Sequence, residues 1–326
     1  MRSLSGLTLI LFTLGAAPAA CGDRTARAEH GMVASSSSLA SEAGVEVMMR
    51  GGNAVDAACA TALALAVTHP AAGNLGGGGF MLIRLANGKT TAIDYRETAP
   101  ALASRNMYLE KAGNLVPGSS LVGYRAAGVP GTVAGLAMAQ AKYGKLKWRD
   151  VVEPAIGLAD HGFRVSPALA QGLRSSKGLA QFEESRRIFQ NDGAFYKEGD
   201  RFRQPDLAAT LKRIQADGPR DFYAGRTARL IVDDQRAHGG LISLQDLKAY
   251  HAVERRPLRG RYRGYDVITM PPPSSGGVAL LEMFHILERY DLASIRSDLV
   301  RTDHLLIETS DGHSPTGRSS PAIPIS

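Results

Sequence analysis

The sequence predicts an α+β protein, rich in helix, with one antiparallel β-hairpin near the start of its folded part. Two observations carry that expectation. Long runs of Ala, Leu and Val are bounded by Gly and Asn in the manner of capped helices. Two short strand-like runs flank Asn87-Gly88, a strong short-range hairpin signal. In order, Ser38 to Arg50 reads as an amphipathic helix stopped by Gly51-Gly52. Asn53 then caps a second helix, Ala54 to about Val67, whose apolar residues lie on every face and so mark it as buried. Phe80 to Leu85 and Thr90 to Tyr95 form the hairpin. Pro130-Gly131 opens a helix that runs to Tyr143 and stops at Gly144. Further helices are expected at 148–160, 205–216, 221–237 and 243–250. Tyr262 to Met270 reads as a strand ended by three prolines, and Gly277 to Arg289 as a helix.

Composition bounds the class. With 326 residues, 44% hydrophobic and 21% charged, the chain can bury a sizeable core and is neither disordered nor collagen-like. The formal charge is +7, but Lys and Arg are spread along the length without a basic, aromatic-laced block, so no nucleic-acid partner is expected. Two cysteines exclude a disulfide framework and a multi-cysteine zinc site. The eight histidines show no metal-type i, i+4 pair, so neither a metal nor another cofactor is expected. Thirty-six glycines imply many tight turns or close backbone approaches.

Residues 1–20 read as a signal peptide: Arg2, an apolar run from Leu7 to Leu14, then small residues including Ala17 and Ala19. An exported, periplasmic protein follows. Cys21 directly after Ala20 offers an alternative, a lipid anchor. No other apolar stretch is long enough for a stable transmembrane span.

Three constellations invite a chemical reading. The run Gly76 to Gly79 suggests a phosphate cradle, but it precedes a strand and lacks a following Lys-Ser or Lys-Thr; close packing beneath a neighbour is the better account. Pro271-Pro272-Pro273-Ser274-Ser275-Gly276-Gly277 lacks the G-x-S-x-G spacing of a serine nucleophile and reads as a rigid turn with a serine N-cap. Arg96, just past the hairpin, is placed to grip a carboxylate with two parallel hydrogen bonds. Charge pattern alone favours an ordinary ion pair to Asp94 or Glu97 instead.

The ordered blocks decide more than any one residue. Gly51-Gly52-Asn53-Ala54-Val55-Asp56-Ala57-Ala58, Gly76 to Phe80 and Asp94-Tyr95-Arg96-Glu97-Thr98-Ala99-Pro100 are followed by Val129-Pro130-Gly131-Thr132. Then come Gly239-Gly240-Leu241-Ile242 with Asp246, Leu247 and Tyr250, Tyr262-Arg263-Gly264-Tyr265, and Met270 to Gly277. Over residues 29–310 this series resembles the large subunit of the γ-glutamyltranspeptidases, or glutathione hydrolases. The resemblance implies an N-terminal-nucleophile hydrolase: an αββα sandwich made from one precursor, a zymogen that cuts itself in two. It implies that the new N-terminal threonine attacks the γ-glutamyl amide of glutathione, its own α-amine serving as base. It further implies transfer of the glutamyl group to water, an amino acid or a dipeptide. By the same resemblance Arg96 binds the glutamyl α-carboxylate, and the ion-pair reading of Arg96 gives way.

The resemblance also implies a Thr-Thr-His-x-Ser block bearing the nucleophile, and the 326 residues contain none; their one adjacent threonine pair is Thr90-Thr91. Residues 311–326 read as an aberrant tail, small, polar and proline-containing, that interrupts a helix in progress. The expectation is therefore an incomplete sandwich with no catalytic residue of its own. It would be inactive and poorly soluble without a small subunit, because strand edges and an apolar sheet face would stand uncovered. Two alternatives remain: an exported binding module for glutamate-like ligands, and a large subunit completed in trans.

Overall fold

The computed structural model describes residues 26–311. The signal peptide at 1–20, Cys21 and residues 312–326 of the expected tail lie outside the described residues. Residues 26–32 belong to a short N-terminal unit and are irregular and exposed. The second unit begins at Val33 and holds all the described helices and strands.

The chain starts with a helical pair, α1 (Ser38–Met49) and α2 (Ala54–Thr68), turned back at Gly51 with φ +94°. The hairpin follows as β1 (Phe80–Arg84) and β2 (Thr90–Asp94). After a long irregular crossing come α3 (Thr132–Tyr143), α4 (Trp148–His161), β3 (Phe163–Arg164), α5 (Pro167–Ser175) and α6 (Glu183–Phe189). Short strands β4 (Gln190–Asn191), β5 (Ala194–Phe195) and β6 (Arg201–Phe202) lead to α7 (Pro205–Asp217), α8 (Pro219–Ala224), α9 (Arg226–Ala237) and α10 (Leu244–Ala249). The chain then returns to the sheet as β7 (Val253–Arg255) and forms a second ribbon, β8 (Leu258–Tyr262) and β9 (Tyr265–Thr269). Helices α11 (Gly276–Leu287), α12 (Leu292–Ile295) and α13 (Leu299–Asp311) complete it.

One three-stranded antiparallel sheet, in the order β1-β2-β7, organises the site. Its central strand is β2, with Ile93 opposite Met81 on one side and Glu254 on the other. The core joins this sheet to α2, α3, α4 and α7; Ile93, Leu63, Leu136 and Leu211 are fully buried within it. As its composition implies, α2 is buried nearly all round, and its alanines let α1, α3 and α4 approach closely.

Two expectations need correction. The run 262–270 is not a single strand: Arg263 and Gly264, at φ 49° and 84°, make a two-residue turn, so Tyr262 ends β8 and only Tyr265–Thr269 forms β9. The helix expected over 221–237 starts earlier, at Pro219, and is broken at Gly225 into α8 and α9. There the buried Asp221 accepts the N–H of Arg226 and the hydroxyl of Thr227, a local cap that competes with a continuous helix.

The α2 N-terminus is the best tied joint. Asn53 Oδ1 accepts the N–H groups of Val55 and Asp56, while Asp56 Oδ2 accepts the N–H of Asn53, a reciprocal capping box. Asp56 Oδ2 also accepts the N–H of Lys145 at 2.8 Å, and Asn53 Nδ2 donates to Tyr143 O at 2.6 Å. One fully buried carboxylate thus locks the start of α2 to the end of α3. Asp56→Ala orphans several backbone donors at once and should cost about 2–4 kcal/mol, above the ~1 kcal/mol of a simple cap, read as a shift in denaturation midpoint.

Candidate ligand-binding site

Arg96 lies two residues past Asp94, the last residue of β2, and its side chain is exposed. Its main chain is held on both sides. The N–H donates to Asp94 Oδ1 at 3.1 Å, and the C=O accepts the hydroxyl of Tyr250 at 2.9 Å. Asp94 is buried, and its second oxygen accepts Arg255 Nε at 2.7 Å from β7. The ordinary ion pair favoured by charge pattern therefore does not form: Asp94 belongs to Arg255, and Arg96 has no carboxylate within 4.0 Å among the described residues. Instead Arg96 Nη1 donates to Pro273 O at 3.1 Å, drawing the proline turn over the guanidinium. That single backbone contact leaves most of the guanidinium fork open to solvent.

Close approach of glycines explains how residues 95–97 are seated. A Cβ on Gly131 would collide with Tyr95 O and the Tyr250 hydroxyl, and one on Gly135 with the Tyr95 ring. From the other side, a Cβ on Gly78 would come within 2.8 Å of Glu97 N. Gly78 and Gly79 of the glycine run thus pack under the strand end, the close approach expected of them. The N-terminus of α3 is already satisfied from within: Gly77 O accepts the N–H groups of Gly131 and Thr132 at 2.7 and 3.0 Å. The Tyr223 hydroxyl takes the N–H of Ala134 and donates to Pro130 O. Three of the first N–H groups of α3 and its N-cap are thus taken up within the fold.

The two tyrosines form a stacked pair, ring centroids 5.7 Å apart. Burial raises the Tyr250 phenol above its ordinary pKa of 10, and the negative charges of Asp94 and Glu97 raise it further. Its hydroxyl therefore remains a donor to Arg96 O.

The other residues singled out in the sequence lie elsewhere. Ser275 is the N-cap position of α11, but its side chain makes no capping bond. Thr91 donates to Glu254 Oε1 at 2.7 Å, and Thr90 accepts from Arg259, so the threonine pair is occupied with sheet contacts. Burial raises the thiol of Cys59, the one cysteine among the described residues, to about 12, which leaves it an inert core group. Among the described residues no group of three or more His, Cys, Asp or Glu side chains is arranged to hold a metal ion. No described helix is long and apolar enough to cross a membrane.

Tyr250, Tyr223 and Arg255 were beyond sequence reasoning as site residues. They lie roughly 130–160 positions from Arg96, and only pairing in the sheet and across α3 unites them.

Residues 40–314 match the family model described as Gamma-glutamyltranspeptidase. The chain belongs to that family. It is 51% identical over 268 residues to the glutathione hydrolase proenzyme of Escherichia coli K12, a match covering 82% of this chain and 46% of that protein. It is 40% identical over 295 residues to the acylase ACY 1 proenzyme of Pseudomonas sp. strain SE83, covering 88% and 53%. Among solved structures, the γ-glutamyltranspeptidase of Helicobacter pylori superposes with a TM-score of 0.86 at 44% identity, covering 89% of this chain and 83% of that one. The chain spans about half the length of the curated relatives it matches. As a γ-glutamyltranspeptidase family member it has the α+β, N-terminal-nucleophile hydrolase fold of its structural neighbours; the described residues contribute the three-stranded sheet, the separate ribbon and the helices around them.

On the sheet face opposite Arg255, Glu254 anchors β7. It receives Lys142 Nζ at 2.7 Å, Thr91 and the Tyr143 hydroxyl. These donors hold its carboxyl at about 2, below its ordinary 4.5. A depressed carboxylate stabilises the fold fully above its unfolded value and loses that contribution as pH falls through the folded value. Glu254→Gln should therefore lower the melting temperature at pH 7, with the gap to wild type narrowing between pH 4.5 and about 2.

Proposed function

We propose that these residues are the donor-binding portion of a γ-glutamyltransferase and glutathione hydrolase, with the nucleophile supplied by sequence outside the 326 residues. One observation carries the reading: within the family match, an exposed guanidinium stands on a fixed strand end with no carboxylate partner of its own among the described residues. Its fork suits the α-carboxylate of a γ-glutamyl group, as in glutathione.

The reaction then runs in two steps. With the donor's α-carboxylate held by Arg96, an N-terminal threonine hydroxyl adds to the γ-carbonyl carbon while the threonine's own amine takes the hydroxyl proton. The C–N bond breaks, the amine leaves with that proton, and a γ-glutamyl ester remains. Water, or the amine of an amino acid or dipeptide, attacks the ester and regenerates the hydroxyl. Arg96 makes no bond to the reacting carbon; it fixes the distance from the α-carboxylate to the γ-carbonyl, converting binding energy into alignment. The exported location implied by residues 1–20 places this chemistry in the periplasm, on γ-glutamyl compounds outside the cytoplasm.

Arg96→Lys keeps the charge and loses the bidentate fork. In the enzyme assembled with its nucleophile-bearing portion, KM for a γ-glutamyl donor should rise about 10- to 100-fold with little change in melting temperature. An unchanged KM contradicts the assignment. The 326-residue polypeptide by itself should release no glutamate from glutathione; Arg96-dependent release by it would place a nucleophile within these residues.

A further inference from the structure

We propose that Tyr250 is a positioning residue for the donor, acting through the main chain of Arg96; this rests on the carboxylate-binding role of Arg96. The Tyr250 hydroxyl donates to Arg96 O at 2.9 Å. It reaches that carbonyl across α3, where Gly131 has no Cβ to obstruct it.

The ring behind the hydroxyl is fixed independently. It lies parallel to Tyr223 at 5.7 Å and 10°, and Tyr223 is itself tied to Pro130 O at 2.9 Å and Ala134 N at 3.2 Å. The start of α3 therefore sets Tyr223, Tyr223 sets Tyr250, and Tyr250 sets the carbonyl of the clamp residue. Arg96 N–H is fixed separately, by Asp94. With both main-chain groups bonded, rotation of the 95–96 and 96–97 peptide planes is restricted, and the guanidinium searches only its own side-chain torsions. Removing the Tyr250 hydroxyl frees one end of that residue. The 96–97 plane then rocks, and the fork is less often where the α-carboxylate arrives.

This predicts a selective defect. A positioning role through Arg96 affects only donors that Arg96 holds, whereas a general loosening of the fold affects all donors alike. Tyr250→Phe keeps the stacked ring and deletes only the hydroxyl. The test uses the assembled enzyme with γ-glutamyl-p-nitroanilide and with the same anilide carrying an α-carboxamide in place of the α-carboxylate. The expected result is a rise of about three- to tenfold in KM for the carboxylate donor, with kcat within about twofold. The residual rate on the carboxamide donor should be unchanged, and Tyr250→Phe should add no further loss in an Arg96→Ala background.

Equal losses on both donors, or full additivity with Arg96→Ala, overturn the positioning role. So does an unchanged KM in a variant that melts as wild type does. If wild type turns over both anilides equally, or Arg96→Ala spares the carboxylate donor, it is the role of Arg96 that fails, and the inference built on it falls with it.

Discussion

The site depends on main chain meeting main chain. Tyr95, Arg96 and Glu97 leave the sheet through a space so narrow that the residues on either side, Gly78 and Gly131, must lack a side chain. Adding even one methyl group there would collide with the Tyr95 carbonyl, the Glu97 amide or the Tyr250 hydroxyl, and the carbonyl and the hydroxyl cannot move without straining a hydrogen bond. The same closeness lets Gly77 O reach the first N–H groups of α3 and lets Tyr250 reach Arg96. Strand end, glycine run and helix start are therefore one rigid junction, and the guanidinium is mounted on it.

Buried acids fasten this junction to the rest of the core. Asp56, Asp94 and Asp221 are all nearly inaccessible, and each accepts backbone N–H groups at a break in regular structure. Isolated in an apolar interior, a carboxylate would be costly. Here each oxygen has donors. Asp94 and Asp221 also have an arginine beside them, at 2.7 and 3.5 Å, while Asp56 lies at the positive end of α2. Such groups stabilise less by net charge attraction than by satisfying donors that would otherwise be stranded where one element ends and another begins. Asp56 and Asp221 accordingly sit in the first turns of α2 and α8, and Asp94 at the last residue of β2, where backbone donors lack regular partners.

Local signals were legible in the sequence wherever the chemistry was local. The Asn53 cap, the Gly51-Gly52 stop, the Asn87-Gly88 hairpin and the apolar run of α2 each record a conformation within a few residues, and each appears where expected. What was illegible depended on distant pairing. The sheet gains its third strand only when β7 returns beside β2, and Val253–Arg255 is too short and too polar to announce a strand. Helices α5 and α6 were likewise hidden, because at nine and seven residues each is too short to establish a periodic pattern. For the site, the Asp94-Tyr95-Arg96-Glu97 block singled out the arginine as a candidate. Its partner could not be identified, since the nearest acids in sequence are not the contacts the fold selects.

That selection explains how a guanidinium two residues from a carboxylate stays available. Asp94 is the natural local partner of Arg96, and a β-strand places residues i and i+2 on one face. Arg255, brought alongside by β7, takes the outer oxygen of Asp94, and the Arg96 amide takes the inner one. With its lone pairs engaged by the half-buried Arg255 and a backbone amide, Asp94 gains little by also capturing the Arg96 head group. Pro273 O offers that head group a neutral acceptor, which orients one nitrogen without cancelling the charge. Under the proposed role, a carboxylate arriving from solvent would meet the guanidinium charge, a fork with open donors and a main chain already bonded at its N–H and C=O. Each of these lowers the cost of ordering that binding would otherwise impose.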